Sequence, residues 1–136
     1  MTVKVTKDDF HKYIRRFKSI EKRKVVAGVF TDSNGSELIK KAFYNEFGTS
    51  RIPKRSFLRQ NDIKKKVRIE EFLDIIKSVD SVFSKIGLQM SSIIKERIRD
   101  IRTPVNAPST IAKKGSSNPL IDSGELINSI DFDLRR

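Results

Sequence analysis

The chain contains no cysteine, which excludes disulfide staples, thiolate metal sites and cysteine nucleophiles together. Its single histidine, His11, leaves neither a His-based metal cluster nor a Ser-His-acid triad to be read from the sequence. On the first predicted helix it lies beside the apolar face, as a partly exposed bystander. Tryptophan is absent, and no Gly-rich phosphate cradle of the Walker or Rossmann kind occurs. No stretch approaches the roughly 18 continuous apolar residues of a membrane span, and the first residues carry no apolar signal core. The expectation is a soluble product with no membrane partner, working where it is made or inside an assembly. No cofactor is called for.

What the chain does have is positive charge, unevenly placed. Its 136 residues suit one domain, and 37% hydrophobic content with nine phenylalanines is enough for one core. The net charge is +12, and all of it lies in residues 1–68, where 19 lysines and arginines face 7 acids. Residues 69–136 carry 10 of each. One cluster runs from Lys12 through Arg15, Arg16, Lys18, Lys22 and Arg23 to Lys24. The other holds Arg51, Lys54, Arg55, Arg59, Lys64, Lys65, Lys66 and Arg68. A field concentrated in this way suits nucleic acid or an acidic protein surface, and equally a solvated face.

Apolar periodicity then sets the elements. Phe10, Tyr13, Ile14, Phe17 and Ile20 recur at helical spacing after a capping-box outline, Thr6 to Asp9, and predict a helix over 7–21. Residues 24–30, Lys-Val-Val-Ala-Gly-Val-Phe, read as a strand buried on both faces or packed under helices. A turn follows at Thr31–Ser36. Ser36 then caps a helix over 36–47 whose apolar positions are Leu38, Ile39, Ala42, Phe43 and Phe47, ended by Gly48. A basic loop contains Pro53, and Phe57-Leu58 returns it to the core. From 67 to 101 the apolar steps alternate between three and four, which predicts helix throughout, with capping residues Ser78 to Ser81 marking a break. Residues 102–119, holding Pro104, Pro108, Gly115 and Pro119, read as an extended or loosely ordered polar arm. The alternation in 129–134 predicts a closing strand that pairs with 24–30. The expected class is α+β: four to five helices around a small antiparallel or mixed sheet, in a single domain.

Candidate chemistry is thin. Leu120-Ile-Asp-Ser-Gly124 has the letters of a pepsin-type catalytic aspartate, but only 12 residues follow Gly124, in a largely helical chain, where that fold needs a flap and a further β-rich half. A capped turn fits better, with Asp122 or Ser123 as N-cap and Glu125 in the first turn. Glu70, Glu71 and Asp74, or Asp131 and Asp133, are the only carboxylate groupings to weigh as a metal site, and each reads equally well as a solvent-facing face. The basic first helix is followed by a strand, so no helix-turn-helix forms.

Three segments carry a resemblance. Ala42-Phe-Tyr-Asn-Glu-Phe-Gly-Thr-Ser-Arg-Ile-Pro-Lys-Arg-Ser-Phe-Leu-Arg59 resembles a signature of the tailed-bacteriophage head–tail joining and tail-completion proteins. Asn106-Ala-Pro-Ser-Thr-Ile-Ala-Lys-Lys-Gly115 and Pro119-Leu-Ile-Asp-Ser-Gly-Glu-Leu-Ile-Asn-Ser-Ile130 are similar to two later segments of that family, in the same order. Lys54 stands where alanine is common and Ser56 where proline is common. The first helix has no counterpart.

The resemblance implies a non-enzymatic virion protein of the phage neck, in the virion after assembly and in the host cytoplasm during it. It implies a homo-oligomeric ring, usually hexameric, between portal-side connector proteins and the tail tube, around the channel through which DNA passes. Partner or intersubunit contacts would then fall on Glu46, Phe47, Arg51, Ile52, Pro53, Lys54, Arg55 and Arg59 in the loop, and on Pro104, Asn106, Pro108, Lys113 and Lys114 in the arm. Lys12, Arg15, Arg16, Lys64, Lys65 and Lys66 would face channel DNA or acidic neighbours. The alternative reading is a small basic nucleic-acid-binding accessory protein.

Overall fold

In the computed structural model, which describes residues 7–59, 66 and 78–136, two strands from opposite ends of the chain form the sheet. β1 (Lys24–Val29) pairs antiparallel with β2 (Ile130–Arg135), in register from Lys24 opposite Arg135 to Val29 opposite Ile130. Among the described residues α1 (Lys7–Glu21) precedes them, and α2 (Ser36–Phe47), α3 (Val79–Asp100), α4 (Pro108–Lys114) and α5 (Glu125–Asn128) lie between them. The fold is α+β.

The helix α3 is the spine. Ser78 caps it, its hydroxyl accepting the Ser81 N–H at 3.3 Å, and its 22 residues run about 33 Å along the sheet. The approach to the sheet is close because position 87 is glycine. A Cβ there would lie 2.1 Å from Cδ2 of Phe132, so the Phe132 ring occupies the space that any side chain would need. An ion pair between Arg23 and Asp80 ties the start of β1 to the first turn of α3.

Around this spine Ala42, Phe57, Ile94, Ile98, Leu120, Leu126 and Ile130 form one buried cluster. Phe57, at 0% exposure, brings the basic loop into its centre, and Leu120, Leu126 and Ile130 bring in the closing segment. Burial of each such side chain contributes about 1.5–3 kcal/mol, so the loop and the closing segment are held by the same core.

Several local expectations change. β1 is half-buried along most of its length rather than buried on both faces, and it packs against α3, the other arrangement its apolar run allowed. Gly35, not Ser36, is the N-cap of α2. Gly124, in the left-handed region at φ 86°, is the N-cap of α5, and neither Asp122 nor Ser123 is. The polar arm is not extended throughout: Pro108 at the first turn and Gly115 at the left-handed C-cap bound a seven-residue helix. Thr6, Glu70, Glu71, Asp74 and the 67–77 part of the predicted helical run lie outside the described residues.

Candidate functional site

On α2, Ala42 and Glu46 are one turn apart on the buried face, so the helix carries a carboxylate into the interior, at 2% exposure. Chain reversal at Gly48 (φ 78°) lets the basic loop fold back over it, and a Cβ at Gly48 would meet the Lys54 backbone nitrogen at 3.0 Å. The loop is stiffened from within. Thr49 Oγ1 accepts the N–H groups of Arg51 (3.2 Å) and Ile52 (2.9 Å), while the Thr49 N–H donates to the Ile52 carbonyl at 2.7 Å.

The returning strand of the loop then closes on Glu46. Ser56 Oγ donates to Oε1 at 2.7 Å and the Arg59 N–H to the same oxygen at 3.0 Å. The N–H groups of Phe57 (2.8 Å) and Leu58 (2.9 Å) donate to Oε2. A buried carboxylate is costly unless its lone pairs are filled, and here four donors from one short loop fill them.

Arg55 ties the loop to the arm. Its Nε donates to the Pro104 carbonyl at 2.6 Å and its Nη2 to the Val105 carbonyl at 3.1 Å, while its backbone N–H donates to Asn45 at 2.7 Å. The side chain is only 5% exposed, and burial lowers the guanidinium pKa from its ordinary value, although arginine stays charged in proteins. Farther along, Asn118 donates to the Arg99 carbonyl at 3.0 Å and accepts the Leu120 N–H at 3.1 Å, fixing the end of the arm to the end of α3. Lys114 donates to the carbonyls of Asn118 (3.0 Å) and Pro119 (3.4 Å). These bonds tie 42–59 to the arm at Pro104 and Val105, and the end of the arm through Lys114 and Asn118 to 119–130, as one hydrogen-bonded layer.

The outer side of that layer is basic and aromatic. Lys54, Arg55, Ser56, Arg59, Ile101 and Thr103 line an open cleft of about 570 Å³ with no carboxylate among them. Beside it stand Phe43, Tyr44 and Phe47, exposed by 55%, 40% and 39%. The rings of Phe43 and Phe47 lie 4.5 Å apart, and the Arg59 guanidinium sits 4.2 Å from the Phe47 centroid. Such an arrangement is suited to binding an anionic or apolar–acidic partner. Among the described residues, no group of three or more His, Asp or Glu side chains gathers as a metal-ligand set.

No family model, curated protein or solved structure matches the chain.

The residues expected at a contact surface divide accordingly. Arg51, Pro53, Lys54, Arg59, Pro104, Pro108 and Lys113 are exposed, while Ile52, Asn106 and Lys114 are half-buried. Glu46 does not face outward, and Arg55 touches the cleft only at its inner wall, being almost wholly buried. Their side chains are consumed inside the chain, the first closing the loop and the second anchoring the arm. Lys12 and Arg15 are exposed and Arg16 half-buried on α1, away from this layer in sequence, and Lys66 is exposed; Lys64 and Lys65 lie outside the described residues. Phe43, expected on the core face of α2, is instead the most exposed of its aromatics. The signal available in the sequence was Glu46 itself: a carboxylate one turn after Ala42 marks either a break in the buried face or a filled anion site.

Arg55→Lys keeps the charge but loses the planar fork that reaches two successive carbonyls. The expected result is a loss of about 1–2 kcal/mol of stability and a fall of roughly tenfold in amide-exchange protection over 103–107, with α3 unaffected. Unchanged protection in the arm would remove the anchoring role.

Proposed function

We propose that the protein is a structural, non-enzymatic component of a tailed-phage neck, a head–tail joining or tail-completion protein that acts by assembling as a ring between connector and tail tube. The observation that carries the reading is the connected layer. Loop 46–59 is closed by the Glu46 carboxylate and tied through Arg55 to the arm at Pro104 and Val105, just before the second of the segments that resemble the family. A surface that must mate with neighbours gains from being pre-organised, because ordering it on contact would cost binding free energy. Its exposed face combines aromatics with arginine, the residue types enriched where protein interfaces draw their affinity.

Electron microscopy of virions from a phage carrying a null allele tests the function directly. Separate filled heads and free tails are expected, restored to joined particles by the gene in trans. Normal joined particles in the null allele would end the reading.

A further inference from the structure

The exposed aromatic face of α2 has a counterpart on the other side of the same helix. Between α2 and the turn before α5 lies a pocket of about 180 Å³. Leu38, Leu120 and Leu126 are its apolar lining, and Lys41, Lys114, Asp122 and Glu125 are its charged lining. A cavity of about 150 Å³ is enough to take a benzene ring, so this pocket has room for one phenyl side chain. Lys41 already pairs with Glu125 at 3.3 Å, while Asp122 is exposed at the mouth.

Phe43 and Phe47 cannot reach that pocket in their own chain. At 3.6 residues per turn they lie roughly 160–240° around the helix from Lys41 and Asn45, which line it. Knob and socket therefore point in opposite directions from one rigid element. Charge supports the match at one point: Arg59 lies over Phe47 with Lys54 beside it, and at the socket Lys41 is paired with Glu125 and Lys114 is bonded to the Asn118 and Pro119 carbonyls, which leaves Asp122 as the carboxylate an incoming arginine meets. Contact of the knob face with its own kind would instead bring like charges together, which rules against a two-fold symmetric pairing.

We propose that a second copy of this chain is the occupant. Phe43 of one copy enters the Leu38–Leu120–Leu126 pocket of the next, with Arg59 beside Phe47 meeting Asp122 at the lip. A contact of this head-to-tail kind uses two different faces, so each copy has one of each free, and repetition closes into a ring or continues as a filament. The inference rests on the ring-assembly reading and names the surfaces that build it.

The test is sedimentation of the purified full chain over a range of concentrations. Wild type is expected to form multimers. Phe43→Asp, at an exposed position, and Ser123→Trp, which fills the socket from its lip, are each expected to weaken self-association by about 30-fold or more, with unchanged far-ultraviolet circular dichroism. Asp122→Arg is the second socket variant should the tryptophan disturb the fold. Phe43→Asp mixed with Ser123→Trp is the deciding sample. One keeps only its socket and the other only its knob, so the mixture is expected to stop at a heterodimer. Multimers that survive Phe43→Asp, or a mixture with no heterodimer, would overturn the contact. A wild type that stays monomeric up to millimolar concentration would overturn it too, and would leave the neck reading to the null-allele virions.

Discussion

Glu46→Gln is expected to lower the free energy of unfolding by about 2–4 kcal/mol, read as a fall in the urea midpoint with an unchanged slope. The glutamine fits the space, so packing is not the cause. Its amide keeps one acceptor oxygen but turns an NH₂ toward donors that now have nothing to bond. On either side that is a pair among Ser56 Oγ and the N–H groups of Phe57, Leu58 and Arg59. Each buried donor left unsatisfied costs about 1–3 kcal/mol, and bonds to a charged acceptor are worth about 1.5–3 kcal/mol, so two lost partners set the range. The effects are not additive, because a loosened loop can readmit water. Ser56→Ala removes one donor without adding a mismatch, and about 1 kcal/mol is expected from it. The loss from Glu46→Gln should also appear as faster exchange at the Phe57 and Leu58 amides. A glutamine variant as stable as wild type would show that the carboxylate does not hold the loop.

Gly87→Ala is the second large effect, and two opposing terms decide its sign. Glycine inside a helix costs about 1 kcal/mol relative to alanine, so propensity alone would make the substitution stabilising. Against this, the new Cβ would fall 2.1 Å from Cδ2, 2.5 Å from Cγ and 2.8 Å from Cε2 of the Phe132 ring. Those distances are far inside van der Waals contact, and the ring cannot yield without lifting β2 from α3. Overpacking of this kind costs about 1–3 kcal/mol and more where the backbone must shift. A net loss of about 2–3 kcal/mol is expected in thermal or urea unfolding. Phe132→Ala removes the clashing Cγ, Cδ2 and Cε2 atoms, so the double variant should be markedly more stable than the sum of the two single changes predicts. Stabilisation by Gly87→Ala would mean that helix and sheet are not packed this closely.

The two predictions mark different depths of legibility. The α+β class and the pairing of the first strand with the last were readable, since the β-branched run at 24–29 and the alternation at 130–134 are local patterns. The start of α3 at Ser78 was readable for the same reason: a capping side chain needs only its own next few residues. The helix at Pro108–Lys114 was masked by the prolines and polar residues around it, although Pro at its start and Gly at its end follow the usual asymmetry of helix termini.

By itself, then, the sequence determined the α+β class, the helices α1, α2 and α3, the two strands, the charge asymmetry and the lack of cysteine, of a second histidine and of a Gly-rich phosphate motif, because each depends on residue type and short spacing. Only the tertiary structure decided the roles of Glu46, Arg55, Phe43 and Gly87. Helical spacing places Phe43 beside Ala42, and nothing local says that the neighbouring surface leaves it open. Glu46 and Arg55 look like surface charges until a loop ten residues on closes over the one and an arm some fifty residues away reaches the other. Gly87 is an ordinary weak point in a helix until Phe132, brought from the far end of the chain, takes the place of its side chain. Contacts between distant segments set these environments, and burial turns the same residue type from a solvated group into a structural one.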